Sequence, residues 1–191
     1  MNLEELRDDL SVRCKNGISF LIAGTLIWTI ITILFLQSFD LTQKNIFTLF
    51  ATGLMMPLSL LATRLIKAEF SVKNNPINQL GIFLNIAQLM YFPLLYWAFV
   101  ENPEGFIVFF AVITGAHFFP YGWSYHTKAY YVMAPVISIV VTILGLNVSE
   151  SYMWMVPFAV VLCLLVLIGW LLIDYKQKVS TPQQPSLQKT S

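Results

Sequence analysis

The sequence predicts an all-α polytopic membrane protein: a bundle of six transmembrane helices with a short N-terminal amphipathic helix. Its 191 residues are 57% hydrophobic and only 11% charged, whereas a soluble domain has about 25% charged residues. The apolar residues fall in six runs, each near the ~20 residues that a helix needs to cross the hydrocarbon core. Lys and Arg are concentrated in alternate gaps between these runs, as in multi-pass proteins.

Residues 1–16 are predicted to form a cytoplasmic amphipathic lead-in. Asn2 is a suitable N-cap, and Glu5 three residues later completes a capping box. We expect a short helix on the inner membrane surface. The alternative is a turn continuous with the first span. The apolar positions at helical spacing are Leu3, Leu6, Leu10 and Cys14.

Residues 17–175 are predicted to form the transmembrane domain. Tyr96 and Trp97 end the third run and Tyr152 opens the sixth, as expected for aromatic rings at headgroup level. Residues 176–191 are mainly Gln, Ser, Thr, Pro and Lys, which bury little surface, so they are predicted to be a disordered cytoplasmic tail. The spans are expected at about 17–36, 45–65, 77–100, 105–121, 129–146 and 152–173.

The distribution of positive charge predicts the orientation. Ten of the eleven Lys and Arg residues lie in the N-terminal segment, the second and fourth gaps, and the tail, and the other gaps contain only Lys44. The positive-inside rule then places both termini in the cytoplasm. Four acidic residues among the first ten argue against a cleavable signal peptide, so we expect the first span to be retained.

Polar side chains within the spans are the candidate functional residues. Asn85 and Gln88 share one face of the third span, and His117 is about 18 Å from the outer end of the fourth. No carboxylate lies at mid-membrane depth, which disfavours a carrier coupled through a buried Asp or Glu. The predicted lining residues of a cytoplasm-facing pocket are Thr25, Arg64, Asn85, Gln88, His117, Tyr121 and Ser138.

These side chains support two functions. Either they line the pocket of a small transporter or channel-like protein for an uncharged or weakly charged solute, or they hydrogen-bond across helices at about 0.6 kcal/mol each. The second case describes a non-catalytic structural or regulatory membrane protein. No catalytic residue, metal site or cofactor is predicted, because nucleophile-elbow, zincin and Walker motifs and Cys/His clusters are absent from the sequence. The expected partners are the lipid bilayer and a small solute, not nucleic acid.

Prolines occur in or beside five of the spans. Each removes one backbone hydrogen bond and frees a carbonyl four residues earlier, such as that of Gly53 or Leu89. Kinked helices leave room for a cavity, although proline is also common in ordinary membrane helices. A short match between Met55-Met56-Pro57 and Met133-Ala134-Pro135 would fit an inverted duplication of three spans. The five prolines are Pro57, Pro93, Pro120, Pro135 and Pro157.

The densest local motif is His117-Phe118-Phe119-Pro120-Tyr121-Gly122-Trp123, followed by Tyr125. Around it, the sequence resembles small bacterial multi-pass membrane proteins of a family without assigned function. That resemblance implies a bacterial plasma-membrane location and a shared fold, and it implies no activity.

Overall fold

A computed structural model describes residues 1–180 of the chain, and within them all regular structure is helical. Two 3₁₀ turns, Lys15–Gly17 and Glu150–Tyr152, lie between helices. This confirms the predicted all-α class. The helices are α1 Leu3–Arg13, α2 Ile18–Leu36, α3 Leu41–Thr52, α4 Met55–Leu65, α5 Ile77–Leu89, α6 Phe92–Glu101, α7 Phe106–His117, α8 Phe119–Ser124, α9 Lys128–Asn147 and α10 Met155–Ser180.

Several helices are long and apolar enough to cross a membrane. Five continuous or nearly continuous segments of the described chain meet this condition, and there are six if the bent pair α3–α4 counts as one span. The number of candidate spans in residues 1–180 is therefore five or six. The second predicted span starts earlier than residue 45, because Asp40 caps α3 and forms a capping box with Gln43.

Three predicted spans are broken just before a proline. The pair α3–α4 bends by 45° near Gly53, four residues before Pro57. The α5–α6 and α7–α8 breaks likewise precede Pro93 and Pro120. Pro135, in contrast, lies inside the continuous helix α9. Proline therefore breaks some of these helices and not others.

The N-terminal helix α1 forms as predicted, with the full capping box of Asn2 and Glu5. It is not continuous with α2. Lys15, Asn16 and Gly17 all have positive φ, at 48°, 55° and 74°, and this left-handed turn separates the two helices. The alternative of a continuous lead-in turn was therefore wrong.

The lead-in helix packs against the rest of the protein. Leu10 and Cys14 are buried in a small apolar cluster with Val72 and Ile77, from the segment that joins α4 to α5. Burial raises the pKa of the Cys14 thiol to about 12. A large part of the apolar side of α1 is thus covered by protein.

The predicted tail begins too early. The helix α10 continues to Ser180, so residues 176–180 are helical rather than disordered. The reason is local: Lys178 forms an ion pair with Asp174 one turn earlier, at 2.8 Å, a spacing that supports a helix. The remainder of the predicted tail, residues 181–191, lies outside the described residues.

The bundle has two different sides. On the packed side, α10 packs against α2, α7 and α9, and α7 packs against α9; these four helices contain most of the buried core. On the open side, α4 packs on α2 while α5 packs on α8, α1 and α7, and α4 and α5 have almost no contact within the described residues. In the α5–α6 segment only 11% of the most apolar stretch is buried, against 56% for the segment containing α2.

Candidate functional site

His117 and Tyr121 lie at the break between α7 and α8. His117 ends α7, and Pro120 occupies the first turn of α8, so the chain continues helically after a short interruption. The His117 Nε2 atom is 3.4 Å from the Tyr121 hydroxyl, and the two rings meet edge to face at 5.3 Å. Both side chains are half-buried. This is the one predicted pair of site residues that hydrogen bonding joins in the described chain.

Tyr121 belongs to an aromatic cluster at the end of the bundle where most Lys and Arg residues lie, which we call the basic end. Its ring centroid is 6.0 Å from those of both Tyr125 and Tyr130, and these two are 6.1 Å apart. The Tyr130 hydroxyl donates to the backbone carbonyl of Asn16 at 2.8 Å. Burial raises the pKa of Tyr125 well above its ordinary value, so this phenol stays neutral. The cluster fastens α8 and α9 to the turn that precedes α2.

Three other predicted residues bond to carbonyls four positions earlier in their own helices. Thr25 donates to Leu21 at 2.8 Å, Asn85 to Gly81 at 2.9 Å, and Ser138 to Ala134 at 3.1 Å. These bonds satisfy the hydroxyl donors of Thr25 and Ser138 without water, a common arrangement for Ser and Thr in helices, and occupy one of the two N–H donors of Asn85. Ser138 is also 3.4 Å from the Val112 carbonyl of α7.

The other two predicted residues, Gln88 and Arg64, take no part in these hydrogen bonds. Gln88 is half-buried on α5, and its side chain has no hydrogen-bond partner among residues 1–180. Arg64 is exposed in the last turn of α4. The assignment of all seven residues to the lining of one solute pocket stays a prediction.

Two small cavities of about 230 Å³ each lie elsewhere in the bundle. One lies between α3 and α6 and is apolar. The other lies between α7–α8 and α9 and includes Ser138 from the predicted set. The first is lined by Leu49, Phe92, Leu95, Tyr96 and Phe99, and the second by Ala116, Phe119, Ala134, Pro135 and Ser138.

Sequence analysis missed a polar hub formed by Ser11, Asn16, Asp174 and Lys178. The buried Asn16 side chain donates to the Leu171 carbonyl at 3.1 Å and to Asp174 at 2.9 Å. Lys178 Nζ contacts Asp174 at 2.8 Å and Ser11 Oγ at 2.9 Å. The hub thereby joins α1, the turn before α2, and α10. Two signals were available: the Asn16-Gly17 dipeptide typical of a turn, and the i,i+4 spacing of Asp174 and Lys178.

The matching family model covers residues 3–174, from the start of α1 into the last third of α10, and is described as a family of unknown function (DUF7010). The chain belongs to this family. The predicted resemblance to a family without assigned function is confirmed to that extent. No curated protein and no solved structure matches the sequence.

The DUF7010 match includes His117, Tyr121 and every hub residue except Lys178. Among residues 1–180 of this DUF7010 protein, no group of three or more His, Cys, Asp or Glu side chains is arranged to hold a metal ion. The site therefore consists of a half-buried histidine–tyrosine pair, an aromatic cluster and a polar hub. Such groups can hold helices together or change protonation state, and the geometry favours the first.

Proposed function

We propose that this DUF7010 protein is a non-catalytic structural or regulatory protein of the plasma membrane, in which most of the predicted pocket-lining side chains bond within the protein instead of to a solute. One observation carries the proposal: the hydroxyl donors of Thr25 and Ser138, and one N–H of the Asn85 amide, bond to backbone carbonyls of their own helices. Donors that are already satisfied need no water, and lipid offers them no other partner. A hydrated pocket requires polar groups that remain free to bind solvent or solute.

We also propose that both termini are cytoplasmic. The segments rich in Lys and Arg meet at one end of the bundle: Arg13 pairs with Glu69 at 2.7 Å, and Asp8 with His126 at 2.8 Å. The hub bond from Lys178 to Ser11 adds the end of α10 to this group. Such clustering of positive charge at one end supports the positive-inside orientation. Reporter fusions at each terminus, active only on one side of the membrane, test it.

A second candidate function, a transporter or channel-like protein with a cytoplasm-facing pocket, is favoured by the helix breaks. Broken helices at membrane depth often line substrate sites in carriers. The His117–Tyr121 pair lies at one such break, beside Pro120. Since α4 and α5 have almost no contact in the described residues, the space between them is where a solute path would have to form.

Cysteine accessibility separates the two functions. In a background with Cys14→Ala and Cys163→Ala, single variants His117→Cys and Thr25→Cys are treated in native membranes with a charged methanethiosulfonate reagent. Ser71→Cys, in an exposed loop, is the reactive control. Val166→Cys, on an exposed face in the middle of α10, is the lipid-facing control.

The structural role predicts that His117→Cys and Thr25→Cys react as slowly as Val166→Cys. Reaction of either at the rate of Ser71→Cys would contradict it and support a hydrated pocket. Each variant is first shown to elute from size exclusion as the parent protein does, so that a misfolded chain is not counted as an accessible one.

A further inference from the structure

The cations at the basic end of the bundle fall into two groups. In the first, each side chain has a partner in the protein: Arg7 donates to the Trp123 carbonyl at 2.6 Å, for example, and Arg13 pairs with Glu69. In the second, the side chains are exposed and have no hydrogen-bond, ion-pair or ring partner within residues 1–180. The second group consists of Arg64, Lys67, Lys73, Lys128 and Lys176.

Three members of the second group are near neighbours in sequence of the two residues that Lys15 contacts, Ile66 and Tyr175. Lys15 Nζ donates to the Ile66 carbonyl at 2.6 Å and lies 5.5 Å from the centre of the Tyr175 ring. Arg64 lies two residues before Ile66 and Lys67 directly after it, and Lys176 follows Tyr175. These contacts bring the end of α4, the turn before α2, and the end of α10 together. The basic cluster is therefore Lys15, Arg64, Lys67 and Lys176.

The backbone gives a second reason to single out Lys67. It has a φ of 52° at the position after the C-cap of α4. Helices commonly end with glycine in this conformation, because any other side chain adds steric cost. The ammonium group gains no contact with the protein in return.

The surface next to the cluster is apolar. On α4, Leu61 and Leu65 are exposed by 53% and 74%, and on α10 Ile173 is exposed by 59%. In a bilayer, acyl chains would lie along these side chains and the headgroups at the level of the cations. Basic pockets between helices at a membrane surface are the type of site that binds anionic lipid headgroups.

We propose that the basic cluster binds the phosphate group of an anionic phospholipid in the adjoining leaflet. Arg64, Lys67 and Lys176 contact the headgroup, and Lys15 holds the ends of α4 and α10 at the required spacing. This proposal goes beyond the structural or regulatory role, and it would hold for a transporter as well.

Native mass spectrometry of the full chain in detergent tests the site. The protein is titrated with phosphatidylglycerol and with phosphatidylcholine of the same acyl chains. We expect phosphatidylglycerol to bind more tightly, and the double variant Arg64→Gln/Lys67→Gln to lose roughly fivefold in affinity for each cation removed. Adding Lys176→Gln should lower the affinity by a further factor of about five.

The matched control is Lys73→Gln/Lys128→Gln, which removes the same charge from two equally exposed, unpartnered lysines outside the cluster. An equal loss of affinity in this control would overturn the proposal, because it would show a general charge effect. Equal binding of phosphatidylcholine would also overturn it. So would displacement of phosphatidylglycerol by millimolar inorganic phosphate with the same dependence on Arg64 and Lys67, since the site would then serve a soluble anion. Unchanged melting temperatures of the variants confirm that they are folded.

Discussion

The packed and open sides of this bundle differ in how closely the backbones approach. On the packed side, a Cβ added to Gly115 of α7 would lie 2.8 Å from Ile137 and 2.9 Å from Ser138 Oγ of α9. On the open side, a Cβ added to Gly81 of α5 would have no such neighbour within 4 Å. Helices in lipid associate through close packing of small residues. The comparison teaches that apolar character alone does not show which spans are packed.

The largest loss of stability is expected from a substitution of Asn16, at the basic end of the packed side. Asn16→Leu removes the bonds to the Leu171 carbonyl and Asp174 and places a poor residue at a φ of 55°. We expect a loss of about 3 kcal/mol in the free energy of unfolding, from unpaired buried groups and backbone strain. Unfolding in mixed micelles with increasing SDS measures it. A loss below about 0.5 kcal/mol, the size typical of an ordinary surface substitution, would mean that the hub does not hold the packed side together.

A smaller effect is expected from Tyr130→Phe, which deletes only the hydroxyl that donates to the Asn16 carbonyl at 2.8 Å. The ring contacts with Tyr121 and Tyr125 remain. The expected loss is about 1 kcal/mol, the usual net value of one hydrogen bond. Asn16→Leu keeps this backbone carbonyl, so the two substitutions remove different hydrogen bonds. No measurable loss in Tyr130→Phe would argue against the contact.

The sequence predicted the fold class because hydropathy and charge patterns report directly on the bilayer. The capping box of Asn2 and Glu5 was also correct, because both partners are local. The hub was missed because Asn16 and Asp174 are 158 positions apart, and no local pattern brings them together. The contact of His117 with Tyr121 follows a local i,i+4 spacing, whereas the local bonding of Asn85 depends on a choice of rotamer that the sequence does not specify.

The spans that contain Pro57 and Pro135 show the same limit of prediction from local sequence. An inverted duplication would predict similar shapes around Pro57 and Pro135, but the chain bends before Pro57 and continues through Pro135. Four residues before Pro57 is Gly53, which has no side chain to fix the turn. Four residues before Pro135 is Tyr131, whose ring packs 5.1 Å from Phe119. The three-residue motif therefore does not determine whether the helix breaks.

The smallest effect on stability is expected for the segment that joins α4 to α5 on the open side. An exposed ion pair between Arg13 of α1 and Glu69 of this segment holds the two together. The hydrogen bond from Arg13 lowers the pKa of Glu69 below its ordinary value of 4.5. Because the folded pKa is the lower one, the stabilisation is complete above pH 4.5 and is lost as the pH falls through the folded pKa. The melting temperatures of the parent and Glu69→Gln should differ slightly at neutral pH and converge in acid. A difference independent of pH would contradict this role for the pair.

The most direct test of the difference between the two sides uses their glycines. Gly115→Ala should destabilise the protein by about 1–3 kcal/mol, because the added methyl overpacks the contact of α7 with α9. Gly81→Ala should be neutral or stabilise it by up to about 1 kcal/mol, because alanine favours a helix and meets no neighbour. Both unfolding free energies are measured in the same SDS titration. Equal losses in the two variants would contradict the account, since they would mean that α5 is packed as tightly as α7.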